Sequence, residues 1–329
     1  MNVLVTSASR KVSLVQAFQR ALAAEGGGRV VAADCEAGAA ALFFADGARV
    51  VPRSAEPDFW PQLLAICREE QIRLLIPTRD EELLLFAEHE RELADAGVVV
   101  PISAPQTIRL CQDKLAFTRF CSERGFAVAR VLSEEELSDE ASFPVFARTR
   151  VGKKSAGAFR VGSPAELAAL RARLGGELLV PEVVQAPEYT LDVLCDLQGR
   201  VLSVVPRVRG VIVGGESFVS ATVREPELLE TGARLARELE LRGPAVIQAF
   251  LREGRVELIE VNPRFGGASV LAIAAGADSP RCLVRLARGE NVQPFLGSYR
   301  DGLRMLRYTQ DLFVEEPRLE ALRAQLRAV

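Results

Sequence analysis

The sequence predicts an α/β N-terminal domain built on a parallel sheet, followed by an α+β region rich in antiparallel strands. Three observations carry this. Short apolar runs alternate with helical patterns through the first hundred residues, strands dominate after Thr107, and the late strand pair ends in the polar stretch Val256–Gly267, VELIEVNPRFGG. A chain of 329 residues has room for about two domains of ~100–200 residues. Its 49% apolar and 26% charged residues allow a sizeable core without disulfides or a structural metal.

The elements follow in order. Val3–Thr6 reads as a strand and Ser13–Ala24 as a helix, with Leu14, Val15, Phe18, Ala21 and Leu22 on its apolar face. Arg29–Ala33 is a strand, Phe59–Glu70 a helix and Leu74–Pro77 a strand. Glu81–Ala96 is a helix and Val98–Ile102 a strand. Strands separated by helices imply a parallel sheet covered on both faces. Beyond it Gln112–Arg124 is helical, and acidic Ser133–Asp139 forms a turn or short helix. Strands are predicted at Val145–Arg148, Ala158–Val161, Glu177–Val180, Tyr189–Asp196, Val201–Arg207 and Val219–Val223. Helix Pro226–Glu240 then precedes strands Ala245–Leu251 and Val256–Asn262.

Several function classes are excluded. The net charge of −3 and the lack of a basic or basic-aromatic stripe argue against nucleic acid. Six scattered cysteines, none at C-x-x-C spacing, and the lone His89 argue against a zinc site or redox pair and for buried, reduced thiols. No signal-peptide pattern and no 18-residue apolar segment is seen, so a cytoplasmic protein without membrane contact is expected. The first strand–helix turn, Thr6-Ser7-Ala8-Ser9-Arg10-Lys11, contains no glycine, whereas a dinucleotide fingerprint needs glycines for the pyrophosphate. Asp34 stands where a ribose-binding acid would, but the turn reads as a substrate-facing loop or as plain structure.

The chemistry concentrates near Glu260. Side chains alternate along a strand, so Glu260 and Asn262 share a face, and Gln248, on the preceding strand across a Glu253-Gly254 hairpin turn, can face them. A carboxylate and two amide oxygens are hard ligands suited to Mg²⁺ beside phosphates. Arg264 follows, where it would meet a transferred phosphoryl group. Taken alone, the stretch also fits a strand ending in a polar turn. The chain has 41 basic residues but only four lysines, Lys11, Lys114, Lys153 and Lys154, and three of these fall near candidate phosphate sites.

Glu260-Val-Asn-Pro-Arg264 followed by Gly266-Gly267 resembles the metal-binding signature of ATP-grasp enzymes, of the type found in the carbamoyl-phosphate synthase large subunit. The resemblance implies that Gln248 and Glu260 hold one Mg²⁺, that Glu260 and Asn262 hold a second, and that Arg264 stabilises phosphoryl transfer. Mn²⁺ would be an acceptable substitute. Upstream, Asp113-Lys114 sits where the family carries a basic phosphate contact. Phe143-Pro-Val-Phe-Ala-Arg148 resembles the strand whose cation touches the nucleotide phosphates. Val151-Gly-Lys-Lys-Ser-Ala-Gly157 falls in the glycine-rich lid, implying ATP contacts at Lys154, Ser155 and Gly157. Leu179–Val184 and Glu188 resemble the hinge between two lobes, which implies the backbone around Val183 and Val184 at adenine, carboxylates such as Glu188 at the ribose, and Glu182 among the nucleotide contacts. Arg207 and Arg209, on one strand face, would lie on the substrate side.

The fold implied is therefore an N-terminal parallel-sheet domain (1–110) followed by an α+β ATP-grasp fold of two lobes (111–329). The small lobe would span about 111–185 and the large lobe about 186–310, with a C-terminal helix at about 316–329. The function implied is an ATP- and Mg-dependent, ADP-forming ligase that activates a small carboxylate as an acyl phosphate for attack by an amine. Its partners would be small molecules, with a homodimer as the default assembly. The alternatives are a carbamoyl-phosphate synthase-like bicarbonate or carbamate kinase unit and a non-catalytic ATP-binding sensor.

Overall fold

A computed structural model describes residues 1–151, 158–175 and 177–325. The N-terminal part opens with strand β1 (Asn2–Val5), helix α1 (Val12–Ala24), β2 (Val30–Asp34), β3 (Gly47–Val50), α2 (Phe59–Glu69) and β4 (Ile72–Ile76). All pairings are parallel, in the order β3-β2-β1-β4. Alternation along β1 sends Val3 and Val5 into one core with Phe18 and Leu22 of α1, and Leu4 into another with Phe59, Leu63 and Phe86. The sheet is thus covered on both faces, as its near-continuous apolar strands require.

Three local expectations change here. The edge strand β3 was not anticipated, because four residues carry too short a pattern. The helix expected over Glu81–Ala96 is split into α3 (Asp80–Glu88) and α4 (Glu90–Asp95). The break falls at His89, whose φ of −107° leaves the helical range. Val98–Ile102 contributes only the parallel bridge Leu74–Val99, since Pro101 cannot donate to a ladder and Ile102 N–H turns back to the Val100 carbonyl.

Helices α5 (Pro105–Gln112) and α6 (Lys114–Glu123) follow, so the helix expected from Gln112 starts two residues later. The Asp113 carboxylate caps it by accepting from the Leu115 and Ala116 amides at 3.0 and 3.1 Å. After β5 (Ala127–Val128), a small antiparallel sheet forms from β6 (Val145–Thr149), β7 (Ala158–Val161) and, beyond α7 (Pro164–Leu174), β8 (Leu178–Leu179), in the order β7-β6-β8. Helix α7 was also missed, although Ser163-Pro164-Ala165-Glu166 is a helix-start pattern. The Ser163 hydroxyl accepts from the Glu166 amide.

A large sheet carries the rest. Its strands are β9 (Glu188–Cys195), β10 (Val201–Val213), β11 (Glu216–Thr222), then, after α8 (Pro226–Glu238), β12 (Gly243–Arg252) and β13 (Arg255–Asn262). Helices α9 (Val270–Ala274) and α10 (Ser279–Ala287), strand β14 (Arg304–Leu306) and α11 (Glu316–Ala324) complete the chain, and the C-terminal residues expected in that last helix beyond Gln325 fall outside the described ones. Sheet order is β14-β11-β10-β9-β12-β13-β5. One face packs Leu191, Val193, Val204, Ile247 and Val261 against Leu228, Leu235 and Ala236 of α8. No described helix is long and apolar enough to cross a membrane. All six cysteines are free; four are buried, whereas Cys35 and Cys282 are partly exposed.

Candidate active site

The face of the large sheet opposite α8 is polar, and its register explains why. Cross-strand partners share a face, and the pairs Arg207–Thr190, Thr190–Gln248 and Gln248–Glu260 run across β10, β9, β12 and β13 as one row. The next row holds Val205, Asp192, Val246 and Asn262. A two-residue turn, Glu253 and Gly254 at φ of 51° and 78°, pairs Arg252 with Arg255, and a bulge between Gln248 and Ala249 then shifts the register by one, so that Gln248 meets Glu260 rather than Ile259. Gln248, Glu260 and Asn262 are each 8% exposed, and the Asn262 amide donates to Glu260 Oε1 at 3.3 Å. The structure therefore brings together the three side chains expected to hold metal. The Thr190 hydroxyl in the same row is buried with no partner among the described residues.

Arg264 lies just past β13. Its guanidinium donates to both Asp80 oxygens (2.9 and 2.5 Å), to the Phe265 carbonyl (2.9 Å) and to Asn262 Oδ1 (3.4 Å). Asp80 begins α3, so this ion pair joins the strand of Glu260 to the N-terminal parallel sheet. The loops at the carboxyl ends of β1 and β4 meet there. Glu82 is fully buried and accepts from the Thr6 and Ser7 hydroxyls at 2.9 and 2.8 Å and from the Thr78 and Arg79 amides at 2.8 and 3.2 Å. Burial raises its carboxyl above the usual range, against those four hydrogen bonds. Burial likewise pushes the Lys11 ammonium down to about 8; Glu82 and Asp34 oppose this, while Arg264 and Arg79 add to it. The sequence reading named Arg264 for the site and pointed to the Thr6–Lys11 turn and Asp34, but it named none of Thr78, Arg79, Asp80 and Glu82. The acid-rich start of α3 directly after Pro77-Thr78 was the available signal.

The remaining expected residues are placed as follows. Lys114 is the first residue of α6, and its amide donates to the Arg150 carbonyl at 3.1 Å. The Arg150 guanidinium grips Asp113 at 2.7–3.0 Å and holds its carboxyl below the usual range. Arg148 is half-buried on β6, opposite Ala158 and Leu179. Lys154, Ser155 and Gly157, and with them the expected lid, lie outside the described residues. Glu182 pairs with Arg130 (3.5 Å) and Arg252 (3.8 Å). Val183 and Val184 lie between β8 and β9, outside both strands, with Val183 56% exposed.

Two expected roles meet in one contact, because Glu188 is ion-paired with Arg209. Arg209 also donates to the Ser217 hydroxyl (3.2 Å) and the Gly215 carbonyl (2.8 Å). Arg207 is only 3% exposed and donates to Asp192 at 2.8 Å and Ser217 at 3.3 Å. The two arginines do share a face, but in this conformation Arg207 braces the sheet. The β10–β11 turn folds back over the glycine pair after Arg264. Arg307 bridges Glu216 (2.5 Å) and the Gly267 carbonyl, and Glu216 also reaches Arg10 at 3.8 Å.

A small antiparallel sheet (β7-β6-β8) together with a larger one that carries the hard-donor row makes up an ATP-grasp fold. Family comparisons agree: residues 3–101 match "PylC-like, N-terminal domain", and residues 176–310 match "ATP-grasp in the biosynthetic pathway with Ter operon". The chain is thus similar to ATP-grasp proteins, with the ATP-grasp match itself falling on residues 176–310. It is 26% identical over 228 residues to the carbamoyl phosphate synthase large chain of Deinococcus radiodurans, covering 62% of this chain and 22% of that one. The chain thus spans about a fifth of the length of the curated relatives it matches. The biotin carboxylase of Campylobacter jejuni, solved as a beta-gamma-ATP complex, superposes with a TM-score of 0.71 at 14% identity, over 92% of this chain and 74% of the other. The ADP complex of PurK, N5-carboxyaminoimidazole ribonucleotide synthetase, gives 0.65 at 17% identity over 89% and 78%.

Proposed function

We propose that this protein is an ADP-forming ligase that uses Mg-ATP to activate a small carboxylate for attack by an amine. The register of Gln248, Glu260 and Asn262 on one polar sheet face, ending at Arg264, is the observation that carries the reading. The donor set fits magnesium: one carboxylate and two amide oxygens, all hard and nearly buried, leave charge and coordination for nucleotide phosphates to complete. Bound there, the ions would neutralise charge on the transferring phosphoryl group. Lys114 and Arg148 would face the phosphates, and the backbone of Val183 and Val184 the adenine. The reading keeps two units, 1–110 and 111–329.

The chain's own residues act on position and charge. A carboxylate oxygen attacks the γ-phosphorus and ADP leaves; the amine then attacks the acyl carbon, phosphate leaves, and the nitrogen gives up its proton. Arg264, held by Asp80 and the Phe265 carbonyl, is placed to stabilise charge on the transferred group. The match to a carbamoyl phosphate synthase large chain keeps a bicarbonate- or carbamate-phosphorylating unit as the second reading.

Glu260→Gln tests the assignment. ATP affinity measured by calorimetry should weaken only modestly, because adenine and ribose contacts remain. ADP release with pooled amino acids and small carboxylates should fall by about 10²–10⁴, the scale expected when charge neutralisation of phosphoryl transfer is lost. Wild-type turnover in this variant would refute it.

A further inference from the structure

The parallel sheet has strand order β3-β2-β1-β4, so connections leave β1 and β4 in opposite directions. In open α/β sheets the crevice outside the carboxyl ends of such a pair is where ligands bind. Here that crevice is walled by Ser7–Lys11 after β1 and Thr78–Glu82 after β4, and Arg264 closes it through Asp80. The Glu216 turn borders it through Arg10.

The first wall is strained. Ser7 and Ser9 sit at φ of 46° and 47°, a left-handed conformation unfavourable for a residue with a Cβ. Strain of this kind collects at ligand sites. The loop is held by its hydrogen bonds: Ser7 to Glu82, Thr78 to the Ser7 carbonyl, and the Ser9 amide to Asp34.

An inventory of donors and acceptors shows what is missing. Glu82 accepts four hydrogen bonds, Asp34 accepts the Ser9 and Glu36 amides, and Asp80 is taken by Arg264. Lys11, with three ammonium donors, spends one on the Ser7 carbonyl at 2.9 Å, and no other acceptor is recorded for it among the described residues. The unspent capacity of the crevice is therefore cationic donation beside Arg264.

We propose that this crevice binds the organic acid to be activated and that Lys11 donates to its carboxylate, with Arg264 on the side of the phosphoryl group. The inference rests on the ligase reading and adds the place and the recognising residue. The lowered proton affinity of Lys11 agrees, because an arriving carboxylate supplies the counter-charge that burial withholds.

The chain has four lysines, so limited acetylation read by peptide mass spectrometry resolves Lys11. The probe is an equimolar mixture of L-amino acids and short mono- and dicarboxylic acids, set against amines of matching carbon number and against inorganic phosphate. The acid mixture should cut Lys11 labelling about fivefold relative to the other three lysines of the same sample, a ratio unaffected by reagent that the added amino groups consume, as a ligand at several times its Kd does. Amines and phosphate should not. Equal labelling with and without acids, or equal protection by amines or phosphate, overturns the proposal.

With the protecting acid as substrate, Lys11→Met should raise its KM about 10–100-fold, the scale of a charge-assisted hydrogen bond, and leave KM for ATP unchanged. Lys11→Arg should keep most of the affinity. If both variants weaken the acid equally, or KM for ATP rises in step, Lys11 is structural and the proposal falls. A thermal shift with Mg-ATP is run beside the labelling. Mg-ATP binding without acid protection sinks this inference alone; absent Mg-ATP binding sinks the ligase reading, while labelling still reports on Lys11.

Discussion

Asp80 and Arg264 make the most informative pair to perturb, because their contact joins the N-terminal sheet to the end of the strand that carries Glu260 and Asn262. The guanidinium is 15% exposed and the carboxylate 34%, with a two-point contact at 2.9 and 2.5 Å. Solvent screening at Asp80 limits the pair's share of stability to about 1 kcal/mol, so neither variant should unfold. Catalysis should respond more strongly. If Arg264 meets the transferred phosphoryl group, Arg264→Ala should lower kcat by about 10²–10⁴, or ~3–5 kcal/mol at 1.36 kcal/mol per decade. Asp80→Asn leaves Arg264 its contacts to the Phe265 carbonyl and Asn262 Oδ1. It should therefore cost about tenfold, ~1.4 kcal/mol, by loosening the guanidinium. The two effects should not add: in the Arg264→Ala background, Asp80→Asn should do nothing further. ADP release under substrate saturation gives kcat, and calorimetry gives ATP affinity for all four proteins. A tenfold loss from Asp80→Asn in both backgrounds would show that Asp80 acts independently and would refute the positioning argument.

Further outcomes follow from named groups. Mg-ATP and ADP should raise the melting temperature and NAD(H) should not, by mass action on the folded state; a shift with NAD(H) alone would contradict the glycine-free reading of the first turn. Lys11 has a folded pKa of about 8 against 10.5 when unfolded, among Glu82, Asp34, Arg79 and Arg264. Between these values the unfolded chain binds the extra proton, so wild-type stability should rise relative to Lys11→Met as pH climbs from about 8 to 10.5, by on the order of 2–3 kcal/mol. Urea titrations at both ends check this; a flat difference refutes it. Gly243 sits at φ +70°, and a Cβ there would lie 2.1 Å from the Pro101 carbonyl oxygen. Gly243→Ala should lose about 2–4 kcal/mol in urea unfolding, strain and clash together, and near-wild-type stability would show that the Pro101 segment yields.

What the sequence made legible depended on how local the cause was. Glu260 and Asn262 could be placed on one face from a period of two, because strand alternation is a property of the backbone alone, but Gln248 joins them only through the bulge beside it, since the two-residue turn by itself would set it opposite Ile259. The covered parallel sheet followed from the spacing of apolar runs for the same reason. The short strand β3 and helix α7 were missed at opposite ends of signal strength: one pattern was too short to read, while the other had a helix-start pattern that went unread. Arg207 shows a different limit. Its position on the strand was legible, but its burial against Asp192 and Ser217 depends on partners 15 and 10 residues away that only pairing registers bring together. The crevice is harder still. Lys11, Asp80, Glu82 and Arg264 span more than 250 positions, and nothing in the spacing of these residues says that β1 and β4 lie side by side. Strand order alone creates that neighbourhood, and strand order is set by how two faces of a sheet can be covered at once. A residue whose function depends on such a neighbourhood looks, in sequence, like any other lysine in a loop, which is why the labelling of Lys11 tests a claim that only the fold could raise.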